Sequence, residues 1–146
     1  MRFLGENKVT QRLEMYRCNI CKNIVEVVLD GEGTLVCCGE EMELLTPGTT
    51  DGAEEKHVPV IEYQCEGAGV KIRVGETPHP MVEEHFIEFI EAISKSGKTI
   101  HREYLYPGEA PEITVNCRSN LGKGDGLRAR EYCNIHGLYI SKDKEN

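Results

Sequence analysis

The chain has 146 residues, 29% of them charged and 39% hydrophobic, enough for one to two domains: one modest core plus a small appended module. No apolar run approaches the roughly 20 residues that span a bilayer, and Met1–Glu14 has no apolar centre of signal-peptide length, so a cytoplasmic protein is expected. The net charge of −8 disfavours nucleic acid and anionic membranes as partners, except through a local basic patch.

Seven cysteines cannot all pair with one another, and metal ligation in a reducing compartment suits their spacing better than a secreted disulfide scaffold. The first dense signal is Cys18-Asn19-Ile20-Cys21. The alternating run Ile24-Val25-Glu26-Val27-Val28-Leu29 follows, then a turn at Asp30-Gly31-Glu32-Gly33, a short strand Thr34-Leu35-Val36, and the adjacent pair Cys37-Cys38 before Gly39. Two short strands and a glycine turn between ligand pairs make a metal-stapled mini-domain that needs little core of its own. The turn-rich stretch Thr46-Pro47-Gly48-Thr49-Thr50-Asp51-Gly52 sets the expected boundary, with residues 1–45 in one domain and 46–146 in another.

The second part reads as β-structure. Val58–Cys65 and Val70–Val74 flank Glu66-Gly67-Ala68-Gly69, and Val70, Ile72 and Val74 alternate with Lys71 and Arg73, which predicts a hairpin with one buried face. Phe86, Ile87, Phe89, Ile90, Ala92 and Ile93 recur at helical spacing. Their aromatic and β-branched character and their neighbours favour a strand instead. Thr99–Tyr106, Ile113–Cys117, Leu127–Tyr132 and Leu138–Ser141 are further short strands, and their spacing predicts a sandwich or small barrel.

Four thiolates make a tetrahedral cage for zinc or iron. Successive side chains on a strand face opposite ways, so Cys37 and Cys38 ligate one ion only if the backbone kinks there, which Gly39 permits. A zinc ribbon normally carries a second two-residue spacer. The vicinal pair therefore shifts the reading toward iron, with a structural zinc knuckle as the alternative.

Downstream, His57 precedes Val58-Pro59. Pro78-His79-Pro80-Met81 and Glu84-His85 hold two imidazoles six residues apart in a proline-stiffened loop, and Cys133 and His136 bracket a two-residue spacer. Four imidazoles with one thiolate suit a redox-active transition metal that keeps one position open. His101, on a strand without such a partner, is expected to be structural or exposed.

In this order, Cys18-x-x-Cys21 with Cys37-Cys38, Glu55-Lys56-His57-Val58-Pro59, His79-Pro80-Met81 with His85, and Cys133-Asn134-Ile135-His136-Gly137 resemble the two-iron superoxide reductase (desulfoferrodoxin) family, from about Tyr16 to Ser141. The resemblance implies a mainly β fold, with a small desulforedoxin-like domain followed by an immunoglobulin-like β-sandwich. It implies one iron on Cys18, Cys21, Cys37 and Cys38, and a second with His57, His79, His85 and His136 equatorial and Cys133 axial. The implied reaction is one-electron reduction of superoxide to hydrogen peroxide, with rubredoxin or a similar donor restoring the electron, in a homodimer. Lys56 would attract the anion, and Glu55 would be the carboxylate at the sixth position of the oxidised iron. Met1–Glu14 stands outside the resemblance as an extension, and Cys65 and Cys117 match no ligand and are expected as small buried strand residues. The competing class is non-catalytic: a rubredoxin-like electron carrier or a zinc-stapled binding module.

Overall fold

A computed structural model of the chain describes residues 8–49, 56–64, 69–116 and 126–142. Among the described residues the regular structure is all strand, as the short turn-punctuated segments predict. No helix of the described residues is long and apolar enough to cross a membrane. The chain divides into two compact units, Met1–Thr46 and Pro47–Asn146.

The first unit holds β1 (Val9–Thr10), β2 (Met15–Arg17), β3 (Ile24–Glu26), β4 (Gly31–Glu32), β5 (Val36–Cys37), β6 (Glu40–Glu41) and β7 (Glu43–Leu44). They form a three-stranded sheet in the order β3-β2-β7 and two ribbons, β1-β4 and β5-β6. Its core is small: among the described residues, Met15, Tyr16, Cys18 and Val27 are the buried ones of hydrophobic type. The alternating run from Ile24 to Leu29 pairs as a strand only as far as Glu26. Leu13 adopts φ 75° and turns the partner chain away, so pairing ends with two bonds, Val27 N–H to the Glu14 carbonyl and Leu13 N–H to the Val27 carbonyl, both 2.8 Å. Val28 and Leu29 beyond that point are exposed. Part of the segment before Met15 is thereby built into the unit, with Val9 opposite Glu32 and Thr10 opposite Gly31.

The second unit holds β8 (Pro59–Gln64), β9 (Gly69–Val74), β10 (Ile87–Ile93), β11 (Ile100–Tyr104), β12 (Glu112–Val115), β13 (Arg128–Cys133) and β14 (Gly137–Ile140). One sheet runs β12-β9-β8 and the other β11-β10-β13-β14, with antiparallel pairing throughout. Val70, Ile72, Val74, Ile113 and Val115 of the first sheet pack with Ile87, Ile90, Ala92, Ala129 and Cys133 of the second in one apolar core. Seven strands in two such sheets make the immunoglobulin-like sandwich expected from the resemblance.

The segment with helical spacing is strand β10. Its apolar pattern misleads for two reasons. A bulge between Ile87 and Phe89 puts Ile87 and Ile90 on the same face, and the opposite face is buried too. There Glu91, fully buried, receives Arg102 and Arg130, each with Nη2 at 2.6 Å, and Phe89 stacks on Tyr132. A strand covered on both faces loses the period of two.

Candidate metal centres

The first centre is assembled by two tight turns. Cys18 directly follows β2, and its carbonyl accepts the Lys22 N–H at 2.9 Å, while the Cys21 N–H points at the Cys18 sulfur at 3.4 Å. The second turn joins β5 to β6, where Cys37 pairs with Glu40 and the two residues between them have positive φ, 52° at Cys38 and 77° at Gly39. Positive φ at both central positions is the signature of a type I′ hairpin. Cys38 thus adopts the left-handed conformation itself, at a cost of about 1–2 kcal/mol for a residue with a Cβ. That is the kink that lets neighbouring cysteines face one point.

The four sulfurs lie within 4.8 Å of one another. Cys21 Sγ is 3.5 Å from Cys37 Sγ, which is 3.9 Å from Cys38 Sγ. A tetrahedral ion with bonds of about 2.3 Å places its sulfurs roughly 3.8 Å apart, so the cage fits a thiolate-bound ion. Without the ion, the Cys21 N–H holds the Cys18 thiol down at about 6. Hydrogen bonds shared first with Cys21 push Cys37 up to about 12 and raise Cys38.

The second centre follows from the antiparallel registers. Pro59 pairs with Val74, so the entry to β8, carrying His57, meets the exit of β9, which leads to His79. Ile87 pairs with Cys133, so His85 at the entry to β10 meets the end of β13. Cys133 then pairs with Gly137, φ 87°, across the hairpin Asn134-Ile135-His136. The strand end buries the thiol completely, while His136 stands exposed on the hairpin.

Candidate ligand atoms of His57, His79, His85 and Cys133 lie within 4.8 Å of one another. His136 joins them through Nδ1, 3.1 Å from His57 Nε2 and 3.7 Å from Cys133 Sγ. The four rings form a square. Neighbouring centroids are 4.7 Å apart for His57–His79, 4.6 Å for His79–His85, 5.1 Å for His85–His136 and 4.7 Å for His136–His57, each pair edge to face. The facing pair His57 and His85 is separated by 6.2 Å. Bonds of about 2 Å from a central ion would set facing centroids roughly 6 to 6.5 Å apart.

Two further observations fit an ion here. The ring of His79 has Nδ1 2.7 Å from the Pro80 carbonyl. A carbonyl only accepts, so Nδ1 carries the proton and Nε2 presents its lone pair. His85 Nε2 is buried with no hydrogen-bond partner among the described residues, which costs about 1–3 kcal/mol unless a ligand or ion takes that lone pair.

Three residues around this centre are not among the ligands or charged groups that the sequence led one to expect. Asn134 clamps the Cys133–His136 hairpin to the His85 segment: its Nδ2 donates to the Glu84 carbonyl at 3.1 Å and its Oδ1 accepts the Phe86 N–H at 3.0 Å. Tyr139 stacks on His57. Glu131, fully buried, lies one pleat from Cys133 on the same face of β13. Their local signals are an asparagine inside the Cys-x-x-His spacer and an acid at an inward position of a strand.

Lys56 is exposed, with Nζ 3.5 Å from Glu76 Oε2. His101 is away from both centres and pairs with Glu103 at 2.8 Å, as expected for a structural histidine. Glu55, Cys65 and Cys117 lie outside the described residues.

Known proteins share this arrangement of sequence and fold. Residues 49–142 match the family described as Desulfoferrodoxin, and residues 10–45 match Desulfoferrodoxin, N-terminal domain. The chain is 46% identical to the desulfoferrodoxin of Syntrophotalea carbinolica over 92% of its own length and 99% of that protein's. It is 47% identical to a desulfoferrodoxin homolog of Archaeoglobus fulgidus, covering 91% and 99% of the two chains. Among solved structures, the superoxide reductase from Treponema pallidum superimposes with a TM-score of 0.65 at 27% identity, covering 91% of this chain and 100% of that one. Family matches over residues 10–45 and 49–142, and relatives at 46% and 47% identity matched along 99% of their own length, place the chain in the desulfoferrodoxin family.

Proposed function

We propose that this chain is a superoxide reductase: it transfers one electron to superoxide and, with two protons from solvent, releases hydrogen peroxide. The observation that carries this reading is the square of four imidazoles with a buried thiolate at its edge and an exposed corner at His136. His57, His79, His85, His136 and Cys133 are the five protein groups that would hold an iron. Iron bound there supplies the single electron and a place for a small anion.

The protein's own groups do the rest. The apolar core around Cys133 keeps the thiolate dry and its donation strong. The Pro80 carbonyl fixes the His79 tautomer. Lys56, next to His57, supplies the local positive charge that a chain of net charge −8 needs in order to attract an anion. Glu55 is assigned, on the resemblance alone, as a carboxylate that would bind the iron when it is oxidised.

Cys18, Cys21, Cys37 and Cys38 would hold the second iron of the pair. The electron comes from a rubredoxin-like donor, and the enzyme acts in the cytoplasm to remove superoxide. A homodimer is supported by the exposed apolar side chains Val25, Val28, Leu29 and Val36, which line one depression of the first unit, a surface of the kind that marks protein contact.

Metal analysis with a visible spectrum of the air-oxidised protein tests this assignment. Two irons per chain with thiolate-to-iron charge-transfer bands from both centres are expected; a colourless zinc protein would sink it.

A further inference from the structure

Lys56 and Glu76 form an ion pair, Nζ 3.5 Å from Oε2, between the two chain segments that carry His57 and His79. Lys56 immediately precedes His57, Glu76 comes three residues before His79, and these two rings are neighbours. The backbone builds the pair. Gly75 has φ 80°, and a Cβ there would lie 2.7 Å from the Lys56 carbonyl oxygen and 2.5 Å from that of Thr77, so a larger residue would force the segments apart. The Gly75 N–H reaches the Val58 carbonyl at 3.4 Å. The Gly75 carbonyl accepts Arg73 Nη1 at 2.6 Å, and Arg73 is held by Glu62 at 2.5 Å.

We propose that Glu76 is a specificity-determining residue for anion entry: a built-in counter-anion that an incoming small anion must displace from Lys56. The proposal rests on the superoxide reductase reading. An exposed pair of this kind is weak and opens readily. While it is closed, its two charges cancel at distances large compared with their 3.5 Å separation, and the acidic chain offers little attraction from afar. An anion that arrives close by exchanges with the Glu76 carboxylate for the same ammonium. Glu76 therefore sets both the entry rate and its dependence on salt.

The test uses the iron-loaded full chain. With the protein reduced, pulse radiolysis should show that Glu76→Gln raises the second-order rate with superoxide by about two- to five-fold at low ionic strength, the gain vanishing as salt is raised. In a Lys56→Ala background the same substitution should change the rate by less than about 1.5-fold. With the protein oxidised, azide titration followed by absorbance should show tighter binding in Glu76→Gln by a similar factor, again only when Lys56 is present. An unchanged low-salt rate, or a gain that persists undiminished without Lys56, overturns the proposal. If the wild-type chain does not consume superoxide, the functional reading fails, while the azide series still decides whether Glu76 competes for Lys56.

Discussion

Tyr139 lies stacked on His57, with ring centroids 4.8 Å apart and planes inclined by 19°. The ring has room because residue 48 is glycine: a Cβ there would sit 2.9 Å from Cε1 and 3.0 Å from Cδ1 of Tyr139. Gly48 is itself fixed to β14, its N–H donating to the Leu138 carbonyl at 3.0 Å and its carbonyl accepting the Ile140 N–H at 2.9 Å. The orientation of one imidazole is thus set from a residue nine positions earlier in the chain.

Gly48→Val should displace Tyr139, cost about 1–3 kcal/mol in chemical unfolding as an overpacking change, and shift the visible bands of the four-histidine centre. The bands of the four-cysteine centre should stay in place. An unshifted spectrum with native stability would show that the stack does not position His57.

Asn134→Ala removes two side-chain hydrogen bonds that join the Cys133–His136 hairpin to residues 84 and 86. A loss of about 1–2 kcal/mol is expected, together with faster iron loss from the four-histidine centre to a chelator. Asn134→Asp keeps the acceptor for the Phe86 N–H and should retain part of the stability. Chelation kinetics equal to wild type in both variants would remove the clamp from the account.

Much of this was legible in the sequence, for physical reasons. Ligand spacing survives without a structure because a tight turn must present Cys18 and Cys21, or Cys133 and His136, to one point. What the sequence concealed is contact made by register. Nothing near Asn134 in the chain announces Glu84 and Phe86, and nothing near Gly48 announces Tyr139. The strand β10 was ambiguous because burial on both faces and a bulge at Glu88 erase its alternation. The Cys37-Cys38 pair was legible as a kink, but the left-handed residue is Cys38 as well as Gly39. The partner of Lys56 was not visible, since Glu76 approaches only through the turn at Gly75.

The two centres should be separable, because each unit contains all of its own candidate ligands. Cys38→Ser should disturb the four-cysteine iron and leave the reaction of the pre-reduced four-histidine centre with superoxide largely intact. Cys133→Ser should do the reverse, abolishing the second centre's thiolate charge-transfer band while the first centre's spectrum persists. Loss of the superoxide reaction in Cys38→Ser would contradict independent chemistry.

Metal uptake by the four-cysteine site should strengthen with pH. All four groups must bind as thiolates. At pH 7 to 8 Cys18, held at about 6, has already lost its proton. Cys37, pushed up to about 12, and the raised Cys38 still carry theirs. At least two protons therefore leave as the metal enters, and affinity should rise by about a hundred-fold or more per pH unit. Below pH 6 Cys18 contributes another proton and the dependence steepens. Cadmium titration of the metal-free chain against a competing chelator, at several pH values, measures this slope. A flat dependence across pH 7 to 8 would show that the thiols are ionised before metal arrives.

The most direct measurement is the stoichiometry of superoxide consumption by the iron-loaded chain, with hydrogen peroxide and dioxygen followed together and a reductant supplied. The proposed reaction, in which an outside reductant supplies the electron that superoxide accepts, predicts one hydrogen peroxide per superoxide consumed, no dioxygen released, and turnover that stops when the reductant is spent. Dioxygen released at half the rate of superoxide loss, continuing without reductant, would mean dismutation and would contradict the account.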